Sequence, residues 1–109
     1  MKRLLTSVVF AVALLLCTNA FAQSSVAIGS YECWYFSRPQ SGLNFKLIGG
    51  GQYIDVEGKK GNVSLAGNQL TFRGGALDGE TPLYEVRKGH PTVSFRRRGS
   101  EAAFCELAK

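Results

Sequence analysis

From Tyr31 to Leu107 the chain is a series of short runs in which every second residue is apolar, and each run ends at a glycine-containing break. Tyr31, Cys33 and Tyr35 share one side of the first run, and Glu32, Trp34 and Phe36 the other. Leu43, Phe45 and Leu47 alternate with Asn44 and Lys46 before Gly49-Gly50-Gly51 turns the chain. Gln52 to Val56 follows, then a turn over Glu57 to Gly61. Val63 and Leu65, Leu70 and Phe72, Tyr84 and Val86, Val93 and Phe95, and finally Ala103, Cys105 and Leu107 continue the pattern, separated by Gly67-Asn68, Gly74 to Pro82, Lys88 to Pro91 and Arg98 to Ser100. A period of two places alternate side chains on opposite faces of a strand, whereas a helix needs a period of 3.6, which no stretch after residue 22 shows. The pattern predicts an all-β fold of about eight short strands at a spacing of roughly 8–12 residues, a barrel or a sandwich. The connections are too short for parallel crossovers, which take a dozen residues or more, so the sheet is antiparallel and mostly up-and-down. Closing it into a barrel removes the exposed strand edges.

The inward set read from the alternation is Tyr31, Tyr35, Leu43, Phe45, Leu47, Val63, Leu65, Leu70, Phe72, Tyr84, Val86, Val93, Phe95 and Leu107. An eight-stranded barrel has room for its own side chains or for one small ligand, and this bulky, aromatic set is expected to fill it. Trp34, Phe36 and Phe104 fall on the opposite face. Aromatic residues concentrate at interfaces, so these three are candidate partner-binding residues, with burial under the short Gln23 to Ile28 leader or a second layer as the competing reading.

The N-terminus sets the compartment. Lys2 and Arg3 precede an uncharged apolar run from Leu4 to Leu16, and Ala20-Phe21-Ala22 has the small-x-small form of a cleavage site. That is the pattern of a secretory signal peptide, expected as a helix over residues 1–22. The apolar run falls short of the ~20 residues that span a membrane, so no stable membrane span is expected after cleavage. Removing 22 of the 109 residues leaves a single β domain of 87, residues 23–109. Cys17 leaves with the signal; lipidation there is disfavoured because the preceding Leu16 is not small. Cys33 and Cys105 remain, and in so small an exported domain they are expected to form one structural disulfide. A metal or redox pair has little support, since there is no Cys-x-x-Cys and a single histidine. If the first and last strands pair with Cys33 directly opposite Cys105, Trp34 faces Phe104 and Glu32 faces Glu106, an unfavourable like-charge pair. Either that pair splays into solvent or the bridge is diagonal. The expected location is the periplasm or the exterior. Without Lys2 and Arg3, eleven basic and eight acidic residues leave a net charge of +3, too mild to point to nucleic acid.

Nothing in the chain assembles a catalytic pair, a metal set or a phosphate loop, and no enzyme activity or cofactor is expected. His90 reads as a solvated turn residue between Gly89 and Pro91. Asp78 and Glu80 are too few for a calcium loop, although long loops such as Gly74 to Pro82 often carry binding. Arg96-Arg97-Arg98 is the sharpest charge feature, with Arg96 and Arg98 outward and Arg97 near the rim. Arg73 and Arg87 are candidates for the same surface. Arg73, Arg96 and Arg98 are accordingly read as a patch for an acidic partner, with a solvated, edge-protecting face as the alternative.

At Gly29-x-Tyr31-x-Cys33, Gly51-x-Tyr53-x-Asp55, Gly58-x-x-Gly61, Leu70-x-Phe72-x-x-Gly75-x-Leu77-x-Gly79 and the closing Cys105, the chain resembles small exported bacterial β-barrel proteins closed by a disulfide. Those positions are turns and core, and they imply a fold and no activity. In size, export signal and single disulfide it is loosely similar to periplasmic lysozyme-inhibitor barrels, which act by inserting loop residues into an enzyme cleft. Their inhibitory motif has no counterpart here, so no residue role carries over. The expected function is therefore that of a non-enzymatic periplasmic or secreted protein that binds or inhibits another protein of the cell envelope, such as a cell-wall-acting enzyme or a toxin. The alternative is a small-ligand or envelope-glycan binder using the barrel mouth. Intact-mass analysis of the exported protein should give a chain that begins at Gln23 and lacks Cys17; a mass that retains the first 22 residues, or one raised by an acyl chain, refutes this reading of the N-terminus.

Overall fold

A computed structural model describes residues 26–108; the expected signal helix and Cys17 lie outside the described residues. The strands are β1 (Gly29–Tyr35), β2 (Arg38–Pro39), β3 (Phe45–Gly49), β4 (Gln52–Asp55), β5 (Lys60–Ala66), β6 (Gln69–Arg73), β7 (Leu83–Arg87), β8 (His90–Arg97) and β9 (Ser100–Leu107), with one 3-10 turn at Ser41–Leu43. Each is antiparallel to its neighbours, and β1 also pairs with β9, so β1 and β3 to β9 close into an eight-stranded barrel. The ninth strand, β2, is a two-residue arm beside the end of β1 that alternation over so short a span cannot reveal.

The hairpin turns follow from backbone sterics. Arg87 pairs with His90 and Arg97 with Ser100, leaving the two-residue loops Lys88-Gly89 and Arg98-Gly99. All four loop residues have positive φ (50°, 83°, 54° and 79°), the turn whose twist matches the flanking strands. Glycine adopts it freely, whereas Lys88 and Arg98 carry its steric cost.

Closure uses the direct register. Tyr31 faces Leu107, Glu32 faces Glu106, Cys33 faces Cys105 and Trp34 faces Phe104. The Cys33 N–H donates to Asn44 Oδ1 (2.8 Å) and its carbonyl accepts the Gln40 N–H (2.8 Å). Both backbone groups of Cys33 therefore point away from β9. The Cys33–Cys105 pair is the non-hydrogen-bonded kind, in which the two backbones come closest, and the disulfide spans it there.

Four aromatic rings fill the barrel. Tyr31 stacks on Phe45 at 5.1 Å, and Phe72 meets Phe45 and Tyr53 edge-on at 5.4 and 4.8 Å. Each such pair contributes about 0.5–1.5 kcal/mol beyond the area it buries. Leu47, Leu70, Val93 and Phe95 complete the buried expected set, while Leu43, Val63, Leu65, Tyr84 and Leu107 pack half-buried against it. Tyr53, Leu77 and Ala103 belong to the core although they lie outside the inward set read from the alternation.

Two expected core residues are outside. Tyr35 is 43% and Val86 60% exposed. Alternation assigns them the inward face correctly, but each sits where its strand has run past the barrel rim and no interior remains. Tyr35 lies at the end of β1, one residue before the turn, and Val86 one residue before the end of β7.

The bridge ties residues 72 positions apart, a loop closure that the chain-entropy account values at about 4 kcal/mol. Replacing Cys33 and Cys105 together by serine should lower unfolding free energy by roughly 2–5 kcal/mol in denaturant titration. Thiol titration of the unfolded, unreduced protein should find no free sulfhydryl; one or two reactive thiols per chain contradict the pairing.

Candidate functional site

The two barrel mouths differ. At the entry end, where the chain arrives, the Tyr31 hydroxyl donates to the Ala27 carbonyl (2.6 Å) and the Ala27 N–H donates to the Tyr84 hydroxyl (3.2 Å), clamping the leader. Burial, reinforced by the neighbouring Tyr84 hydroxyl, holds the Tyr31 phenol protonated well above the usual tyrosine range. A groove of about 290 Å3 remains there, lined by Val26, Ile28, Leu47, Leu65 and the glycine turn 49–51.

At the far end the Gly74–Pro82 loop folds back over the mouth and drops Leu77 into the core, where it is 3% exposed. The Tyr53 hydroxyl donates to the Gly74 carbonyl and accepts the Leu77 N–H (3.1 Å). Asp55 Oδ2 accepts the Ala76 N–H (2.9 Å), while its Oδ1 accepts the N–H groups of Glu57 (2.9 Å) and Lys59 (2.8 Å). Asp78 closes the loop on itself by accepting the Gly74 N–H (2.8 Å). Gly75 must be glycine: its φ is +68° and a Cβ would come within 2.5 Å of the Tyr53 hydroxyl. Beyond Leu77 the loop runs along β6, where Phe72 and Leu70 donate to the carbonyls of Glu80 and Pro82. The loop is thus a built part of the barrel wall, and its two acids are committed: Asp78 to the turn and Glu80 to Arg97.

Between this loop and the β1–β2 hairpin runs a groove of about 170 Å3. Leu43, Leu77, Phe95, Ala102 and Ala103 give it an apolar lining, and Tyr35, Glu80 and Arg97 complete it. One guanidinium nitrogen of Arg97 reaches both Glu80 oxygens, at 3.0 and 3.2 Å, and the Arg97 side chain stays 61% exposed. Phe36 occupies the hairpin tip with φ 57° and 74% exposure, its ring edge-on to Tyr35 at 4.7 Å. Arg38 lies directly opposite Tyr35.

The expected patch is therefore split. Trp34 and Phe104 face each other on the outer wall, half-buried, in a lateral row with Ser94 and Leu83. Phe36 does not share that face, because β1 ends at Tyr35 and the turn carries Phe36 to the rim. Arg98 is exposed at the tip of the β8–β9 turn. Arg96 is exposed beside the bulge between Phe95 and Arg96, and it bonds the Gly99 carbonyl (2.7 Å). Arg73 is exposed at the end of β6 opposite Asn62, with β7 intervening before β8. Arg87 is taken up in ion pairs with Glu85 and Glu101 (2.6 Å to the latter). Glu101 also accepts the Ser94 hydroxyl (2.6 Å), which helps to explain why Ser94, on the outer face, is 1% exposed. His90 is exposed at the start of β8, and among the described residues no cluster of three His, Cys, Asp or Glu side chains is placed to hold a metal ion.

Leu77, Glu80, Arg97, Ala102 and Ala103 are the groove residues that lie outside the inward set. Arg97 carried a signal in its expected place at the rim; the others meet it only through the hairpin and the folded loop. No helix among the described residues is long and apolar enough to cross a membrane. Compared with known proteins, the chain matches no family model, no curated protein and no solved structure.

Burial alone would raise the Asp55 pKa, but the Lys59, Ala76 and Glu57 N–H groups outweigh it and hold the carboxyl below the usual range. The Arg87 hydrogen bond, against some desolvation, does the same for Glu101. A depressed folded-state pKa contributes stability that is present above the unfolded value of about 4 and is lost as pH falls through the folded one. Melting temperature should therefore drop steeply below about pH 4. Asp55→Asn should be less stable at pH 7 and show a shallower acid limb; an acid limb identical to that of the parent protein shows that Asp55 is not its source.

Proposed function

We propose that the protein is a non-enzymatic binding protein of the bacterial envelope, periplasmic or secreted, whose partner is another protein. Restraint of a cell-wall-acting enzyme or a toxin is one concrete form, in keeping with the loose likeness to lysozyme-inhibitor barrels. The observation that carries this reading is the combination of a filled interior with aromatic side chains displayed at the far rim. Tyr31, Phe45, Tyr53 and Phe72 occupy the space a ligand inside the barrel would need, while Tyr35 and Phe36 project from a hairpin. Exposed aromatics next to arginine are the residue types that dominate protein–protein hot spots. The disulfide in so small a domain is compatible with an oxidising compartment outside the cytoplasm.

A ligand or glycan in the barrel mouth has less support. Small-molecule sites are usually 300–1,000 Å3 and pair apolar walls with placed polar groups. The far-end groove is smaller at about 170 Å3. The entry-end groove is larger, but among the described residues Ser64 is the only polar side chain in its lining.

The test is photo-crosslinking in cells with a reactive residue at Phe36 and, as control, at Val86 on the opposite rim. One envelope protein should be captured from position 36 and not from 86. Phe36→Ser should then weaken binding to the purified partner by roughly 30-fold, the loss of a hot spot of about 2 kcal/mol, with an unchanged melting temperature. Equal capture from both positions, or none from 36, counts against this reading.

A further inference from the structure

We propose that the far-end groove is a receptor for a single apolar side chain of the partner with a carboxylate beside it, and that Glu80 holds the place of that carboxylate in the unbound protein. This rests on the protein-binding reading above and names the chemistry of the anchor. The floor of Leu43, Leu77, Phe95 and Ala103 is apolar, and about 170 Å3 suits one side chain rather than a free ligand. The floor is also preformed. Leu77 is fixed by the Tyr53 hydroxyl through its N–H, and its loop is tied again through Ala76 to Asp55, so docking has little backbone to order.

Charge completes the assignment. Arg97 stands in the groove wall with most of its side chain in solvent, engaged through a single nitrogen by Glu80, which sits on the folded loop. Its Nη1 also donates to the Arg96 carbonyl (3.0 Å), which leaves the Nε–H and the second Nη1 N–H for an incoming carboxylate, and a guanidinium freed of Glu80 can donate to such a partner at two points. Arg38 lies opposite Tyr35 on the hairpin and so on the same face, adding a second cation to the rim. An exposed ion pair contributes little to the fold, so exchanging Glu80 for an incoming carboxylate leaves the barrel intact.

The exported protein, labelled for NMR, is titrated with four probes: acetyl-Gly-Asp-Phe-Gly-amide, its Lys-for-Asp and Ala-for-Phe analogues, and hexanoate. The Asp-Phe peptide should shift the Leu43, Leu77 and Ala103 resonances, and each analogue should bind at least tenfold more weakly. Glu80→Gln should tighten the Asp-Phe peptide several-fold by freeing Arg97. Arg97→Gln should abolish the preference for Asp over Lys, and neither surface change touches the core. The proposal is overturned if the Asp and Lys peptides bind alike, if Glu80→Gln fails to tighten binding, or if the shifts lie elsewhere. It is also overturned if hexanoate matches the peptide, which makes the groove a site for free amphiphiles. Peptide binding as expected with no capture at position 36 removes the protein-binding role and leaves the groove. Capture at 36 that Glu80→Gln and Arg97→Gln leave unchanged keeps the role and removes the groove.

Discussion

The seam between β1 and β9 is the constraint on which the rest of the barrel depends. It joins the first strand to the last, so β3 to β8 are caught between its two sides. The disulfide sets that seam in a single register, because only a pair whose backbone groups turn away from each other brings the two strands close enough for a direct bridge. The same register places Glu32 opposite Glu106. Facing carboxylates on a wet surface cost a few tenths to about 1 kcal/mol, well under the roughly 4 kcal/mol assigned to the covalent closure. The bridge wins, and the acids are tolerated because Glu32 lies in solvent.

That register has a further consequence at the far end. Having turned its Cys33 amide toward Asn44 and its Cys33 carbonyl toward Gln40, β1 leaves β3 after Tyr31 and continues beside β2. The strand thereby rises past the rim. Tyr35 comes to overlook the mouth and Phe36 becomes a turn residue, whereas Trp34 stays on the outer wall against Phe104. The candidate site is thus a by-product of how the barrel closes.

Much of this was legible in the residues. Alternation marks the eight long strands, the glycine breaks mark the turns, and the two cysteines left after the N-terminal segment find each other. Alternation reports which face a residue takes and says nothing of depth, which is why it assigns Tyr35 and Val86 to the interior. It is silent where apolar residues occupy both faces: in Gln52 to Val56, Tyr53, Ile54 and Val56 compete, and the inward pair Tyr53 and Asp55 went unassigned. A buried aspartate contradicts simple patterning, and only the loop it anchors explains it. Ser94 shows the same limit, since face and depth part company there. Its polar side chain points outward as expected, yet Glu101, drawn toward Arg87, lies against it. The clustering of Tyr35, Leu77, Arg97 and Ala103 depends on contacts among four separate segments, which no local period can encode.

The two ends of the barrel are closed by different means, and the difference bears on where binding occurs. The entry end is held by a leader through two tyrosine hydroxyls, with an almost wholly apolar groove beside it. The far end is held by a loop with four side-chain hydrogen bonds, two with Tyr53, one with Asp55 Oδ2 and one with Asp78, set around glycines that no other residue can replace without strain. Fixed backbone at the far end means that the side chains it presents lose little further freedom when a partner arrives, and binding gains by that saving. What stays adjustable there is confined to the surface: the hairpin-tip aromatic ring and an exposed ion pair. A rigid floor beneath a replaceable charge contact separates the two tasks a recognition surface must perform, since the floor fixes geometry and the exposed arginine selects the sign of the partner's charge.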